Sequence, residues 1–135
     1  MGDFWILLQK YLYYLRQQQN KKMEKERLDE FLKEIGRMPL LSADEETALC
    51  KAVQKKGMDS DEMRQLEKGS MRFIVSIANQ YKNRGLTLME LIEVGKEGLR
   101  KGAMEYNASH GIVFIAYAVR WVRQSILQAI KSIHQ

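Results

Sequence analysis

The 135 residues, 45% of them hydrophobic, suit one ordinary domain with its own core. A single proline and a single cysteine exclude a disulfide scaffold and argue against a turn-rich β-sandwich. The net charge is +5, and the stretch beyond Gly98 holds five basic residues against one acidic residue. That excess favours either a surface that binds a polyanion or a solvated helix face. The sequence shows neither the ~18-residue apolar run of a membrane span nor a signal peptide.

Helical periodicity begins near the N-terminus. Six apolar residues follow the spacing of an amphipathic helix, namely Phe4, Leu7, Leu8, Tyr11, Leu12 and Leu15. Residues 17–27 are polar and highly charged, which fits either a linker or a solvated helix. An apolar stripe resumes at Leu28 and is expected to end at Gly36, with Pro39 in a short connection.

The middle of the chain carries clear helix-start signals. A capping box at 42–45 predicts a helix that runs to about Lys56 and stops at Gly57. One of the residues Asp59, Ser60 and Asp61 is expected to cap the next helix. Its buried stripe would consist of Leu66, Ser70, Phe73, Ile74, Ile77 and Tyr81.

Two further helices are predicted in the second half. A capping box at 87–90 opens a helix that extends to Leu99, in which Gly95 and Gly98 lie one turn apart and suit close helix packing. Residues 107–111 form a loop. The final helix has the clearest apolar stripe, formed by Phe114, Tyr117, Ala118, Trp121, Val122, Ser125, Ile126, Ala129, Ile130 and Ile133. No segment reads as a strand, so the predicted fold class is all-α.

The residue types that catalysis or metal binding needs are not brought together by the sequence. Gly95 and Gly98 flank a segment that lacks the spacing of a phosphate-binding loop. Cys50, His110 and His134 are too scattered for a zinc site. We therefore expect a binding protein without enzymatic activity, cofactor or metal.

The final helix combines aromatic residues with basic and amide residues. Arg120, Gln124, Gln128 and Lys131 share one helix face, which differs from the apolar stripe. Such a face beside exposed aromatics suits single-stranded nucleic acid, because cations hold phosphates and aromatic rings stack on unpaired bases. The same pattern is also typical of core aromatics beside a solvated arginine.

Residues 28–133 resemble regions 1.2 and 2 of the primary (sigma-70) sigma factors of bacterial RNA polymerase. The resemblance rests on five segments in the family's order: FLKEIG at 31–36, PLLSADEE at 39–46, RFIVSIA at 72–78, RGL at 84–86 and RQSILQAI at 123–130. It implies a multi-helix bundle of region 2 type with a long C-terminal helix. The implied organisation is an N-terminal helix and polar linker over 1–27, region 1.2-like helices over 28–57 and a region 2-like domain over 58–135.

The resemblance also implies two binding surfaces. The helix over 87–99 would attach to the clamp helices of the polymerase core through Glu90, Glu93, Val94 and Lys96. The following loop and helix would capture the non-template strand of the −10 promoter element by flipping a base. The implied DNA contacts are a pocket of Tyr106, Asn107, His110 and Tyr117, strand contacts at Phe114 and Ala116, a wedge of Arg120 and Trp121, and an upstream contact at Gln124, with Gln128 and Lys131 on the same face.

Several of these positions depart from the family pattern. The family's wedge is a Trp-Trp pair, where this chain has Arg120 and Trp121, and His110 stands at a family arginine. All four polar polymerase-contacting positions differ, while the packing residues between them persist. Core binding by the ordinary route is therefore in question.

The first interpretation is a bacterial transcription-initiation protein, cytoplasmic and nucleoid-associated, that binds polymerase core and −10 DNA. The alternative is a diverged or truncated module that binds a protein or competes for polymerase without melting DNA. A double-strand binder of helix-turn-helix type is the third option, although no short turn and recognition helix follow the long one. Primary sigma factors continue further, so we expect either a fragment or a short natural relative. The helix over residues 4–15 falls outside the resemblance, and it could dock on the body of the domain, self-associate or bind a further protein partner.

Overall fold

The structure is a computed structural model that describes residues 2–37 and 40–134, without the side chains of residues 2–5, 17, 24 and 28. The predicted connection at Pro39 and the side chains of Phe4 and Leu28 therefore lie outside the described residues. Helices form all the regular secondary structure within these ranges, which confirms the all-α prediction. The chain divides into two compact units, Met1–Arg37 and Met38–Gln135.

The first unit is one helix, α1 (Gly2–Arg37), of 36 residues. It continues without interruption through residues 17–27, so of the two alternatives for that polar stretch, a linker or a solvated helix, the structure has the helix. The described charged side chains of that stretch are exposed, where they form no obstacle to a helix whose residues have high helix propensity. Within the described ranges, no helix is long and apolar enough to cross a membrane.

The second unit begins with α2 (Ala43–Lys56), whose two ends match the prediction. The amide of Glu45 donates to Ser42 Oγ at 3.1 Å, and the amide of Ser42 donates to Glu45 Oε1 at 3.3 Å, which completes the capping box. Gly57 ends the helix with φ +99°, a conformation that glycine adopts without steric cost, and its amide donates to the Val53 carbonyl at 2.7 Å.

The single helix predicted after this turn is wrong. The structure has α3 (Asp61–Gly69), capped by Ser60, and then α4 (Met71–Gln80). Ser70 separates them, and its amide is shared between the carbonyls of Leu66 and Glu67 at 3.0 and 3.2 Å. The break occurs beside Gly69, where any Cβ would collide with the Leu41 side chain. The apolar periodicity continues across this break, so the pattern alone predicts one helix where the structure has two.

The two longest helices of this unit are α5 (Leu88–Glu105) and α6 (Phe114–Ile133). Helix α5 starts at the predicted cap, where the Glu90 amide donates to Thr87 Oγ1 at 3.1 Å, but it extends six residues beyond the predicted end at Leu99. The core forms where α5 and α6 meet α2, α3 and α4, and its fully buried large side chains are Phe114, Met63, Leu66, Ile74, Leu91, Ile92, Leu99, Ile126, Val53 and Val122.

Cys50 lies in this core, with 1% of its surface exposed. Burial and the nearby Glu46 carboxylate raise the pKa of the Cys50 thiol to about 12, so the thiol stays protonated near neutral pH. Burial likewise raises the pKa of Glu46 itself. Cys50 therefore contributes packing rather than thiolate chemistry.

Close contact between α5 and α6 depends on glycines, which confirms the predicted packing role. A Cβ on Gly98 would lie 2.5 Å from the Trp121 carbonyl oxygen and 2.9 Å from Ser125 Oγ. A Cβ on Gly95 would lie 2.9 Å from Ile74 Cγ2 on α4 and 3.4 Å from Val122 Cγ1 on α6. Because Gly98 would meet backbone rather than a mobile side-chain tip, the two helices cannot keep this spacing with a larger residue there.

We expect Gly98→Ala to lower the free energy of unfolding by about 1–3 kcal/mol, because the added methyl forces α5 and α6 apart. Urea denaturation followed by fluorescence and circular dichroism measures this effect. Gly36→Ala is the control, since a Cβ there meets nothing within 4 Å. Equal stability of the two variants would contradict the packing role.

Candidate nucleic-acid interface

A short, ordered connection joins α5 to α6. It contains a 3-10 turn at Ala108–His110, which Asn107 caps by accepting from the Ser109 amide at 3.0 Å and from Ser109 Oγ at 2.7 Å. Gly111 closes the turn in the left-handed region, with φ +77°. The predicted loop is thus a compact turn that leaves Asn107 and His110 exposed.

Four aromatic rings form a continuous row from this turn along α6. The Tyr106 ring centroid lies 5.3 Å from that of Phe114 and 5.5 Å from that of Tyr117. The row continues from Tyr117 to Trp121, with centroids 6.3 Å apart. These separations fall within the range of favourable edge-to-face and tilted contacts, so the rings hold one another in place.

Exposure along the row increases from one end to the other. Phe114 is fully buried and Tyr106 nearly so, and the Tyr106 hydroxyl donates to the Ile112 carbonyl. Tyr117 and Trp121 are half-buried. The direct strand contact predicted for the Phe114 side chain is therefore corrected: Phe114 belongs to the core, because it starts the buried periodic stripe of α6, and it supports Tyr106 from beneath.

The predicted polar face of α6 is present and exposed. Arg120, Gln124, Gln128 and Lys131 line one shallow depression together with three residues that the sequence prediction did not include, Arg123, Leu127 and Ser132. A helical projection centred on this face would have found Arg123, which adds a second guanidinium beside Arg120. Ala116 is also exposed, one turn before Arg120.

Trp121 stands between the packed and the exposed sides of α6. Its Cδ1 lies 3.0 Å from where a Cβ on Gly102 would be, so one edge of the indole rests on the α5 backbone. Its remaining surface is accessible beside the exposed Arg120. The predicted wedge residues are therefore neighbours, with the arginine in solvent and the indole anchored.

The four predicted polymerase contacts lie on α5. Glu90 and Glu93 are exposed, and Val94 is half-buried. Lys96 Nζ forms an ion pair with Glu93 Oε1 at 3.0 Å, and only 18% of the Lys96 side chain is exposed. Glu93 and Lys96 therefore pair with each other, whereas Glu90 is exposed and takes no part in this ion pair.

Arg100, near the C-terminal end of α5, makes a contact that the sequence analysis did not predict. Its Nε forms an ion pair with Glu67 Oε1, which joins α5 to α3 across 33 residues of sequence. Both side chains are largely covered. A charged residue on a helix face carries no sequence signal for a contact this remote.

Gln54 makes a second long-range contact that the sequence did not indicate. Its Nε2 donates to the backbone carbonyls of Ala103 and Tyr106, both at 2.8 Å. These carbonyls belong to the C-terminal end of α5, where helices have unpaired acceptors. Gln54 thus ties α2 to the point where the aromatic row begins, beside a cleft lined by Thr47, Cys50, Lys51, Met104, Glu105, Asn107 and Ala108.

The described residues contain no group of His, Cys, Asp and Glu arranged to hold a metal ion. What they bring together instead is a cationic and amide-bearing helix face, an aromatic row that ends in a half-exposed indole, and a turn that presents polar side chains. This set suits phosphate contact and base stacking.

Replacing Gln54 by Met should lower the free energy of unfolding by about 1–2 kcal/mol, because two carbonyl acceptors lose their donor. Gln54→Glu should cost more, since a carboxylate would then face two carbonyl oxygens. Gln65→Met is the matched control on the exposed surface of α3. Chemical denaturation that gives the same loss for Gln54→Met and Gln65→Met would contradict the bridging role.

Two family models match the chain. The model for sigma-70 region 2 matches residues 69–134, and the model for sigma-70 factor region 1.2 matches residues 28–58. Together they cover most of the second unit and the end of α1. The Gln54 bridge therefore connects a residue in the first matched segment to the backbone of the second.

Curated relatives support the same assignment. The chain is 42% identical over 100 residues to RNA polymerase sigma factor SigA of a Bacillus species, an alignment that covers 74% of this chain and 26% of that protein. It is 42% identical over 101 residues to SigA of Lactococcus lactis subsp. lactis, covering 74% and 26% respectively. SigA of Listeria monocytogenes is 41% identical over 100 residues, with the same two coverages.

The chain spans about a quarter of the length of these relatives. Its matched segments nevertheless follow one another in the family's order and coincide with the helices that build the aromatic row and the cationic face. On these grounds the chain belongs to the sigma-70 family, of which it carries regions 1.2 and 2.

Proposed function

We propose that this chain acts in transcription initiation as a sigma factor, in the bacterial cytoplasm, by binding RNA polymerase core and the non-template strand of the −10 element. It has no catalytic role in this proposal. The observation that carries it is the exposed face of α6, on which Arg120, Arg123 and Lys131 surround two amide side chains. These side chains supply charge for phosphates and hydrogen-bonding groups for base edges.

Single-stranded DNA suits this surface better than a duplex. The α6 face leads towards the half-exposed rings of Tyr117 and Trp121, and unpaired bases stack on aromatic faces in a way that paired bases cannot. Asn107 and His110 add polar groups at the turn beside that row. In the proposal the turn and row receive a flipped base, and Arg120 and Trp121 meet the upstream base pair.

The polymerase contact in this proposal lies on α5. Glu90 and Glu93 give that surface an acidic character suited to a basic partner, and α5 is held rigidly by its glycine contacts with α6 and by the Arg100–Glu67 pair. A rigid surface loses little entropy when it binds. Its acidic residues are therefore positioned before the partner arrives.

A specific observation favours a second candidate function, a module that engages a protein partner without melting promoter DNA. The Lys96–Glu93 pair occupies two of the expected polymerase positions, and a lysine brings positive charge to this otherwise acidic surface. A partner must either break this pair or accommodate both charges. The two functions differ in whether polymerase core enhances binding to −10 DNA.

We expect the chain to bind a single-stranded −10 oligonucleotide more tightly with polymerase core than alone, as measured by fluorescence anisotropy. Arg120→Ala and Arg123→Ala should each weaken binding and reduce the slope of log affinity against log salt by about 0.7, because each removes one phosphate contact. Trp121→Ala should cost about 1–3 kcal/mol of binding, the worth of one stacked base.

Lys68→Ala is the control for the arginine variants, since it removes one exposed positive charge on α3, outside the α6 face. It should leave both affinity and salt slope unchanged. If core never enhances oligonucleotide binding, initiation is excluded and the second candidate function stands. If the arginine variants match Lys68→Ala, the α6 face is not the DNA contact.

The α5 surface is tested separately by charge reversal. Glu90→Lys and Glu93→Lys should each weaken the complex with polymerase core at least about tenfold, because like charges then oppose a basic partner. Asp59→Lys makes the same reversal in the exposed turn between α2 and α3 and should have no effect. Sedimentation or surface-capture binding that is unaffected by all three variants would remove α5 from the polymerase interface.

A further inference from the structure

The first half of α1 carries an apolar surface that has no role in the function proposed above. We define the α1 stripe as Phe4, Leu7, Leu8, Tyr11, Leu12 and Leu15. Leu7, Tyr11, Leu12 and Leu15 are 43–65% exposed, and Leu8 is half-buried. The stripe follows the i, i+3, i+4, i+7, i+8, i+11 spacing of a helix face that packs against another surface.

The sequence of this segment is nearly symmetric about its centre. Five apolar residues at 4–8 and five at 11–15 flank the polar pair Gln9 and Lys10. Pairing position i with position 19 − i matches Phe4 with Leu15, Leu7 with Leu12 and Leu8 with Tyr11. Every member of the α1 stripe therefore has another member of the stripe as its counterpart.

We propose that the α1 stripe is a self-association surface on which a second copy of this chain packs antiparallel about a two-fold axis between Gln9 and Lys10. A two-fold interface requires that residue i contacts residue j while j contacts i, which is the relation that this symmetry provides.

Charge supports the antiparallel arrangement over the parallel one. Residues 16–27 hold five basic residues, Arg16, Lys21, Lys22, Lys25 and Arg27, against the acidic Glu24 and Glu26. Parallel chains in register would place these cationic stretches side by side. Antiparallel pairing puts Arg16 opposite Asp3 and separates the two Lys21 residues by about 35 Å along the axis, several times the screening length of ~8 Å.

The area of the α1 stripe is sufficient for a weak dimer. Leucine and tyrosine side chains at these exposures offer on the order of 500 Å² per copy, or about 1,000 Å² for the pair. That total lies at the low end of specific interfaces, so the expected dissociation constant is micromolar. A bilayer is a poorer fit, because the apolar segment of about 18 Å is shorter than the ~30 Å hydrocarbon core and has a lysine near its centre.

Sedimentation equilibrium of the full chain over a concentration series tests the proposal. The wild type should reach a dimer at micromolar concentration. Leu7→Glu and Leu12→Lys should each raise the dissociation constant at least about 100-fold, because each sets a charge against an apolar side chain twice per dimer. Mixing the two variants in equal amounts should restore dimers, because Glu at 7 then meets Lys at 12 of the other chain.

Tyr13→Glu is the matched control, because Tyr13 and Leu7 are both 65% exposed and Tyr13 lies off the stripe, beside Gln9. It should dimerise like the wild type, and circular dichroism should report equal helicity in all variants. A wild type that stays monomeric overturns the proposal, whether α1 then packs on its own chain or binds anionic lipid vesicles. A mixture of Leu7→Glu and Leu12→Lys that stays monomeric overturns the antiparallel register.

Discussion

The close approach of α5 and α6 is the constraint on which the rest of the second unit depends. Gly98 allows the backbone of α6 to lie against α5, and Gly102 accepts the edge of the Trp121 indole. This contact decides how deep Trp121 sits and therefore where the aromatic row ends. A larger residue at either glycine would press against Trp121 and so change the exposure of its indole. The proposed DNA surface is thus set from within the core.

A second constraint joins the two matched family segments into one site. Gln54, from the segment matched by region 1.2, satisfies the last carbonyls of α5 and so holds the start of the turn that carries Asn107 and His110. The Tyr106 ring in turn packs against the rings of Phe114 and Tyr117. Neither segment alone fixes the geometry of that turn, which gives a physical reason for the two to occur together.

The family resemblance implies that α5 matches the family pattern at its packing positions and differs from it at its exposed contact positions. Replacing a buried leucine or glycine changes packing volume and is costly, whereas an exposed position such as Glu90 tolerates many side chains. Helix α5 accordingly buries Leu91, Gly95 and Gly98 and presents the charges of Glu90 and Glu93 at exposed positions. A partner that recognises this surface must suit the Lys96–Glu93 pair as well as the acidic residues.

Local signals in the sequence determined the all-α class, the caps of α2 and α5 and the polar face of α6, because caps and periodicity depend on neighbours within one or two turns. The structure alone revealed the break at Ser70, across which the apolar periodicity continues, and the burial of Phe114 against Tyr106. It also decided the Gln54 and Arg100 contacts, whose partners lie 33–52 residues away. No local pattern encodes such distances, because only the folded chain brings those atoms together.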